Sequence, residues 1–138
     1  MRGGVVVVDA WAMLAFLRGE GVAATTVRRF LRQARSGRLR LIMSVINLGE
    51  VYYRIAQLEN EQKADAAIQL VREMPIQIAA ARESIVLAAA KLKARYRLSY
   101  ADAIAVATAR DVGARVITGD PEIMALSPTV VKVARLQR

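Results

Sequence analysis

The chain alternates between short, continuously apolar runs and longer segments whose apolar positions recur every three or four residues. The runs are typical of strands buried on both faces of a parallel sheet, and the periodic segments are typical of helices packed against it. We predict strands over residues 3–8, 39–43, 76–79, 115–118 and 129–133, and helices over 10–17, 25–36, 45–58, 61–74, 82–96, 99–110 and 121–126. This order predicts one domain over 1–138, a three-layer α/β/α sandwich with a mostly parallel central sheet.

The helix predicted over 99–110 is apolar on nearly every face, so we expect it to be buried. Asp102 lies in its first turn, on the same face as Ala105 and Val106. A carboxylate in an apolar environment is costly unless something pairs with it. One interpretation is a capping box with Ser99, in which the two residues satisfy each other's backbone amides. The other is a site that Asp102 shares with further polar groups.

Two more acids follow predicted strands. Asp9 comes directly after the first strand, and Asp120 lies two residues after the fourth. The carboxyl ends of parallel strands share one edge, where open α/β sheets bind their ligands. Each of these acids could also be an ordinary helix N-cap. Glu50 lies at the border of the apolar face of its helix, one turn after Asn47, in a position that is ordinarily solvated.

Cysteine and histidine are both absent from the sequence. This excludes a cysteine nucleophile, a histidine general base and a zinc site of thiolates or imidazoles. Catalysis would have to come from carboxylates, hydroxyls, Lys, Arg or Tyr. A bound metal would have to be a hard cation held by oxygen, meaning Mg²⁺, Mn²⁺ or Ca²⁺.

The formal net charge is +9, and most of the 21 basic residues are Arg. This balance favours a nucleic-acid partner, because Arg binds phosphate in a bidentate way and stacks on bases. Lys93, Arg95 and Arg97 lie together at the end of the helix over 82–96 and form a candidate RNA-binding patch. They could equally complement the helix dipole. Because the sequence contains no signal peptide and no apolar run long enough to span a membrane, we expect a cytoplasmic protein.

Four sequence blocks occur in a characteristic order: Val5–Asp9, Asn47–Val51, Tyr100–Ala105 and Thr118–Pro121. In order, spacing and placement they resemble the PIN-domain nuclease family, and more narrowly the VapC-like toxins of toxin–antitoxin pairs. The likeness extends from the first strand to about residue 126.

The resemblance implies catalytic, metal-binding roles toward Mg²⁺ or Mn²⁺ for a set of four acids: Asp9, Glu50, Asp102 and Asp120. It also implies supporting polar roles for Asn47, Thr118 and, as an outer acid, Glu122. The expected activity is metal-dependent hydrolysis of single-stranded or loop RNA, by a homodimer that a small antitoxin protein inhibits. Many family members carry Ser or Thr two residues after the first Asp, where this chain has Trp11.

Two other α/β interpretations fit the sequence less well. A haloacid-dehalogenase-like phosphatase needs a second Asp at the position of Trp11, and a dinucleotide-binding domain needs a glycine-rich turn after the first strand. The main alternative is a non-catalytic RNA-binding or partner-binding module that keeps the fold with a vestigial acidic cluster. Cleavage of RNA with Mn²⁺, abolished by EDTA, would separate an enzyme from such a module.

Overall fold

The structure, a computed structural model, describes residues 4–137. Its strands are β1 (Val5–Val8), β2 (Arg40–Ser44), β3 (Ile76–Ala79), β4 (Arg115–Thr118) and β5 (Val133–Arg135). Its helices are α1 (Ala10–Leu17), α2 (Gly21–Arg35), α3 (Val45–Leu58), α4 (Glu61–Arg72), α5 (Glu83–Arg95), α6 (Tyr100–Val112) and α7 (Pro121–Met124). The strands form a sheet in the order β3-β2-β1-β4-β5, in which every neighbouring pair is parallel.

The valines of β1 alternate between the two faces of the sheet and connect it to both helical layers. Val6 and Val8 pack with the apolar faces of α1, α2, α3 and α4, and Val7 packs with α5 and α6 on the other side. All three side chains are nearly inaccessible to solvent. This arrangement confirms the predicted three-layer sandwich, and the sheet proves to be parallel throughout.

Two predicted elements are displaced. The helix expected from residue 25 begins at Gly21, because Ala23 and Ala24 already pack into the core beside α1. The last strand, expected over 129–133, begins only at Val133. A turn intervenes, in which the Val130 amide donates to the Ser127 carbonyl (2.8 Å), and Val130 packs into the core without joining a strand. Other element ends move by one or two residues, and residue 3 of the first predicted strand lies outside the described residues.

The α6 helix is buried along one continuous stretch, Asp102–Ala109. It begins at Ser99, whose Oγ accepts the Asp102 amide at 3.1 Å, and it ends at Gly113 in the left-handed conformation (φ 66°). Glycine adopts that conformation without the penalty that a Cβ would impose. The burial of α6 fixes Asp102 against the sheet.

The strand order reverses at β1, which has β2 on one side and β4 on the other. One residue beyond the Val8–Ile117 pair lie Asp9, directly after β1, and Thr118, the last residue of β4. In open α/β sheets such a reversal leaves a crevice at the carboxyl edge. Within residues 4–137, no helix is both long and apolar enough to cross a membrane.

Candidate active site

Asp9 leaves β1 at the carboxyl edge of the sheet and is 2% exposed. Its Oδ1 accepts the Ala12 amide at 2.8 Å and so caps α1. Its Oδ2 is buried and has no hydrogen-bond partner among the described residues. The carboxylate therefore caps a helix with one oxygen and has the other available for a ligand.

Asp120 occupies the corresponding position after β4. Its Oδ1 accepts the Glu122 amide at 2.8 Å and the Ile123 amide at 3.4 Å, capping α7 with Pro121 in the first turn. The Thr118 hydroxyl, fully buried, accepts the Asp120 amide at 2.9 Å and fixes the loop between strand and helix. Both strand-end acids are therefore N-caps, as their positions allowed, and both lie at the strand-order reversal.

Three carboxylates form a compact group. One carboxylate oxygen each from Asp102, Asp120 and Glu122 lies within 4.8 Å of the other two. The Ser99 hydroxyl caps α6 through the Asp102 amide, while the Asp102 carboxylate lies beside the other acids. Glu122, expected as an outer acid, is a full member of this group. Its Oε2 also lies 3.8 Å from the guanidinium of Arg97.

Glu50 approaches the same region from α3. Its side chain is 12% exposed, and its Oε1 is buried without a hydrogen-bond partner in the described chain. Oε2 lies 3.6 Å from Nη2 of Arg54, one helical turn later. Asn47 donates from Nδ2 to the Ala101 carbonyl (3.1 Å) and thereby joins α3 to α6. The border position of Glu50 is therefore mostly buried, whereas a solvated side chain is ordinarily expected there.

The pKa values show that these acids belong to one electrostatic system. Burial raises the pKa of Asp9 to about 8. The Thr118 hydroxyl lowers this pKa in part, and the charges of Asp102 and Asp120 raise it slightly further. Burial, followed by the charge of Asp120, raises the pKa of Asp102 to about 7. Burial also raises the pKa of Glu50, opposed by Arg54. Crowded, buried carboxylates hold protons unless a cation replaces them.

The oxygen donors suit a hard divalent cation. Two oxygens bound to the same Mg²⁺ or Ca²⁺ lie at most about 4–5 Å apart, so oxygens of Asp102, Asp120 and Glu122 that lie within 4.8 Å of one another are close enough to share one cation. The unpaired oxygens of Asp9 and Glu50 are buried acceptors that a cation or its water would satisfy. No nitrogen or sulfur ligand is required, in agreement with a sequence that contains neither His nor Cys.

The predicted basic patch does not form a uniform surface. Lys93 Nζ donates to the Leu98 carbonyl at 3.0 Å and so ties the end of α5 to the loop before α6. Arg97 is 97% exposed beside Glu122, at the rim of the acidic group. Arg95 is exposed on α5 and lines a separate cavity of about 320 Å³ between α5 and α6.

The structure adds two features that the sequence patterns did not single out. Arg54 pairs with Glu50 at a spacing of four residues, a relation visible on a helical wheel. Trp11, on α1, packs on the backbone of Gly119, between Thr118 and Asp120. A Cβ at residue 119 would overlap three adjacent atoms of the indole ring, Cζ2, Cη2 and Cζ3. This contact joins distant segments, so no local pattern could have indicated it.

A family model described as "PIN domain" matches residues 6–127. Among curated proteins, none matches the chain. Solved structures with the same fold include VapBC2 from Rickettsia felis bound to a DNA fragment from its promoter. That structure is 9% identical, covers 96% of this chain and 99% of its own, and has a TM-score of 0.73.

Two further solved structures are similar over most of their length. VapC20 from Mycobacterium tuberculosis, described as a sarcin–ricin loop cleaving toxin, is 18% identical, with a TM-score of 0.71 over 87% of this chain and 93% of that one. DNA-bound VapBC from Salmonella typhimurium is 13% identical, with a TM-score of 0.73 over 98% of each chain. At these identities the likeness establishes the fold.

Proposed function

The chain belongs to the PIN domain family, as its four motif blocks indicated, and we propose that it is a divalent-metal-dependent endoribonuclease. One observation carries the proposal: carboxylate oxygens of Asp102, Asp120 and Glu122 lie within 4.8 Å of one another at the carboxyl edge of the sheet. The capping interactions of the loop and helix ends fix these acids in place before any ligand binds. Such preorganisation suits a metal site.

We assign Asp9, Glu50, Asp102 and Asp120 to the catalytic and metal-binding set, with Glu122 as a further acid beside them. Mg²⁺ or Mn²⁺ held there would polarise a phosphodiester oxygen and lower the pKa of a bound water. Thr118 supports Asp120 through its amide, and Asn47 holds α3 against α6.

The attacking water must lose a proton, and a chain without histidine needs an oxygen to accept it. Glu50 Oε1 is the candidate acceptor, because it is buried and makes no hydrogen bond within residues 4–137. Arg54 lies against the other oxygen of Glu50 and favours the ionised form of the carboxylate. Hydrolysis by an activated water does not use the ribose 2′-OH, so a preference for RNA must come from contacts to the strand.

The fold neighbours support a proposal for the biological setting. VapBC assemblies and a loop-cleaving VapC toxin have the same fold, which supports single-stranded or loop RNA as substrate and a small antitoxin protein as partner. We propose that the chain is the toxin of such a pair, acts in the cytoplasm and forms a homodimer. Light scattering of the purified protein, alone and co-expressed with the protein of an adjacent short reading frame, tests both assemblies.

The catalytic proposal is tested with single amide variants of the four acids, Asp9→Asn, Glu50→Gln, Asp102→Asn and Asp120→Asn. We expect each to remove most Mn²⁺-dependent cleavage of unstructured RNA, because residues that act as a unit fail non-additively. Glu73→Gln, at an exposed acid beyond α4, is the matched control. The shared site is refuted if two of the four variants cleave at the wild-type rate.

The same assay decides between an enzyme and a binding module. EDTA should abolish cleavage by the wild-type protein, and Mn²⁺ or Mg²⁺ should restore it. A protein that binds RNA but does not cleave it under any of these conditions would be the non-catalytic module with a vestigial acidic cluster.

A further inference from the structure

We propose that Trp11 and the flanking Arg18 and Arg54 form a nucleotide subsite beside the acidic group, where a base of single-stranded RNA stacks on the indole. The arginines would contact the phosphates on either side of that base. The identity of the ligand rests on the proposed function. The subsite itself rests on the geometry of a cleft that the acids of the candidate active site do not line.

The cleft lies between α1, the start of α2 and α3, and has a volume of about 500 Å³. This volume falls within the range of about 300–1,000 Å³ for small-molecule pockets. The lining residues are Trp11, Leu14, Ala15, Arg18, Glu20, Gly21 and Arg54. A cleft lined by one aromatic ring and two guanidinium groups combines the stacking surface and the phosphate donors on which single-strand binding depends.

Trp11 is held as a rigid platform. The Gly119 backbone packs so closely on the six-membered ring that no side chain could replace the glycine hydrogen without moving the indole. Trp11 packs against the hydrophobic core, yet it is only partly buried and contributes to the lining of the cleft. A stacking surface that is already fixed loses little conformational entropy when a base binds.

Arg54 connects the cleft to the acids. Its Nη2 lies 3.6 Å from Glu50, yet its side chain remains 53% exposed. Arg18, which also lines the cleft, is 55% exposed and pairs with Glu20 at 3.3 Å. A guanidinium has five N–H donors, so one carboxylate leaves each arginine able to bind a phosphate as well. Arg54 beside Glu50 and Trp11 beside Gly119 both join the cleft to the acids, so a strand whose phosphate lies at the acids could extend into it.

The chain contains a single tryptophan, so its fluorescence reports on Trp11 alone. The experiment titrates the full-length protein in EDTA, where cleavage is not a variable, with a short oligoadenylate. A ribose-phosphate chain of equal length without bases is the matched probe. We expect saturable quenching by the oligoadenylate and none by the abasic chain, although both bind when followed by fluorescence anisotropy of a labelled end.

Variants test the same subsite by affinity. Trp11→Leu should weaken oligoadenylate binding by about 5- to 150-fold, the range expected for loss of one stacked base, and leave abasic-chain binding unchanged. Trp11→Phe should recover part of the affinity. Leu87→Ala, at an exposed apolar residue of α5 outside the cleft, is the control, and thermal unfolding checks that each variant is folded.

Each outcome is decisive. RNA binding without quenching, or equal quenching by both probes, would show that Trp11 has only a structural role, in packing on Gly119. The nuclease proposal would still hold in that case if cleavage depends on the acids. Base-dependent quenching without Mn²⁺-dependent cleavage would support the subsite and overturn the nuclease. No detectable RNA binding by either method would overturn the subsite.

Discussion

At the scale of single residues, helix capping leaves the acids able to bind a ligand, although the sequence presents the two roles as alternatives. Asp9 and Asp120 each use Oδ1 to cap a helix, and the second oxygen of Asp9 stays buried and unpaired within the described chain. A carboxylate has two oxygens and about four acceptor positions, so capping and ligand binding are compatible. The caps also fix the direction in which the second carboxylate oxygen points. A longer side chain without such a cap would leave that direction variable.

The two interpretations of Asp102 predict opposite responses to metal. Asp102→Asn keeps the amide that Ser99 caps, so the metal-free variant should be as stable as the wild type or more stable, because one repelling charge is gone. The wild type should gain about 2.7 kcal/mol at a cation concentration 100 times Kd, and the variant much less. Denaturant unfolding in EDTA and in excess Mn²⁺ measures both, and equal destabilisation in the two conditions would favour a purely capping role.

The Trp11–Gly119 contact predicts an unusual cost for a small substitution. Gly119→Ala should destabilise the protein by about 1–3 kcal/mol, the usual penalty for overpacking, because the added methyl overlaps the indole. Gly49→Ala is the matched control, since nothing lies within 4 Å of its added methyl and α3 should gain helix propensity.

The contact itself is isolated by repeating Gly119→Ala in a Trp11→Leu background, with urea unfolding as the measurement. The penalty should shrink there, because the ring that causes the overlap is absent. An unchanged penalty in that background would place its cause in the loop backbone.

At the scale of elements, the pattern of hydrophobic residues predicts correctly the strands and helices that are buried on nearly all sides. The β1 valines and the α6 helix are apolar on all sides and are buried as expected. The pattern failed where packing decides between alternatives, as for Thr129 and Val130. These are good strand formers that a turn removes from the sheet. The early start of α2 at Gly21 likewise depends on contacts with α1, which the local sequence does not encode.

The basic residues at and just after the end of α5 should differ in how much they contribute to RNA binding. Arg95→Gln and Arg97→Gln should each lower the salt dependence of RNA binding by about 0.7 log units per tenfold change in salt, the value for one phosphate on a single strand. Lys93→Gln should leave that slope unchanged, because Lys93 already donates to Leu98. Anisotropy titrations over a range of salt measure the slopes, with Arg72→Gln on α4 as control. An unchanged slope in the Arg95/Arg97 double variant would exclude this patch.

At the scale of the whole molecule, the buried acids make stability depend on pH. The folded pKa of Asp9 is about 8 against an ordinary value of 3.8, so between these limits the folded state binds a proton that the unfolded state lacks. The metal-free protein should therefore lose stability as pH rises from about 4 to about 8, by at most about 1.4 kcal/mol per pH unit for each such proton. Asp102 adds to the same trend up to about pH 7.

Denaturant unfolding in EDTA across this pH range measures the effect. Asp9→Asn should flatten the slope, and Asp111→Asn, at an exposed carboxyl paired with Arg82, should not. A wild-type protein that gains stability over the same interval would show that Asp9 is ionised in the folded state.

The amino-acid sequence predicts which residues form the candidate site, but it does not determine their geometry. Asp9, Glu50, Asp102 and Asp120 are predicted from strand ends, helix positions and motif order. The order of strands in the sheet determines which strand ends are neighbours, and the amino-acid sequence alone does not determine the order β3-β2-β1-β4-β5. The approach of Glu122 to Asp102 and Asp120 depends on the turn into α7, and the cleft at Trp11 depends on a contact between residues far apart in the chain.

The spread of the acids along the chain has a consequence for biosynthesis. Asp9 is synthesised more than a hundred residues before Asp120 and Glu122, and β4 must pair with β1 to bring them together. A nascent polypeptide that ends before α7 therefore holds only part of the acidic set. If the protein cleaves RNA as proposed, translation up to α7 can proceed without harm to the messenger or the ribosome, because the site is incomplete until α7 has been made.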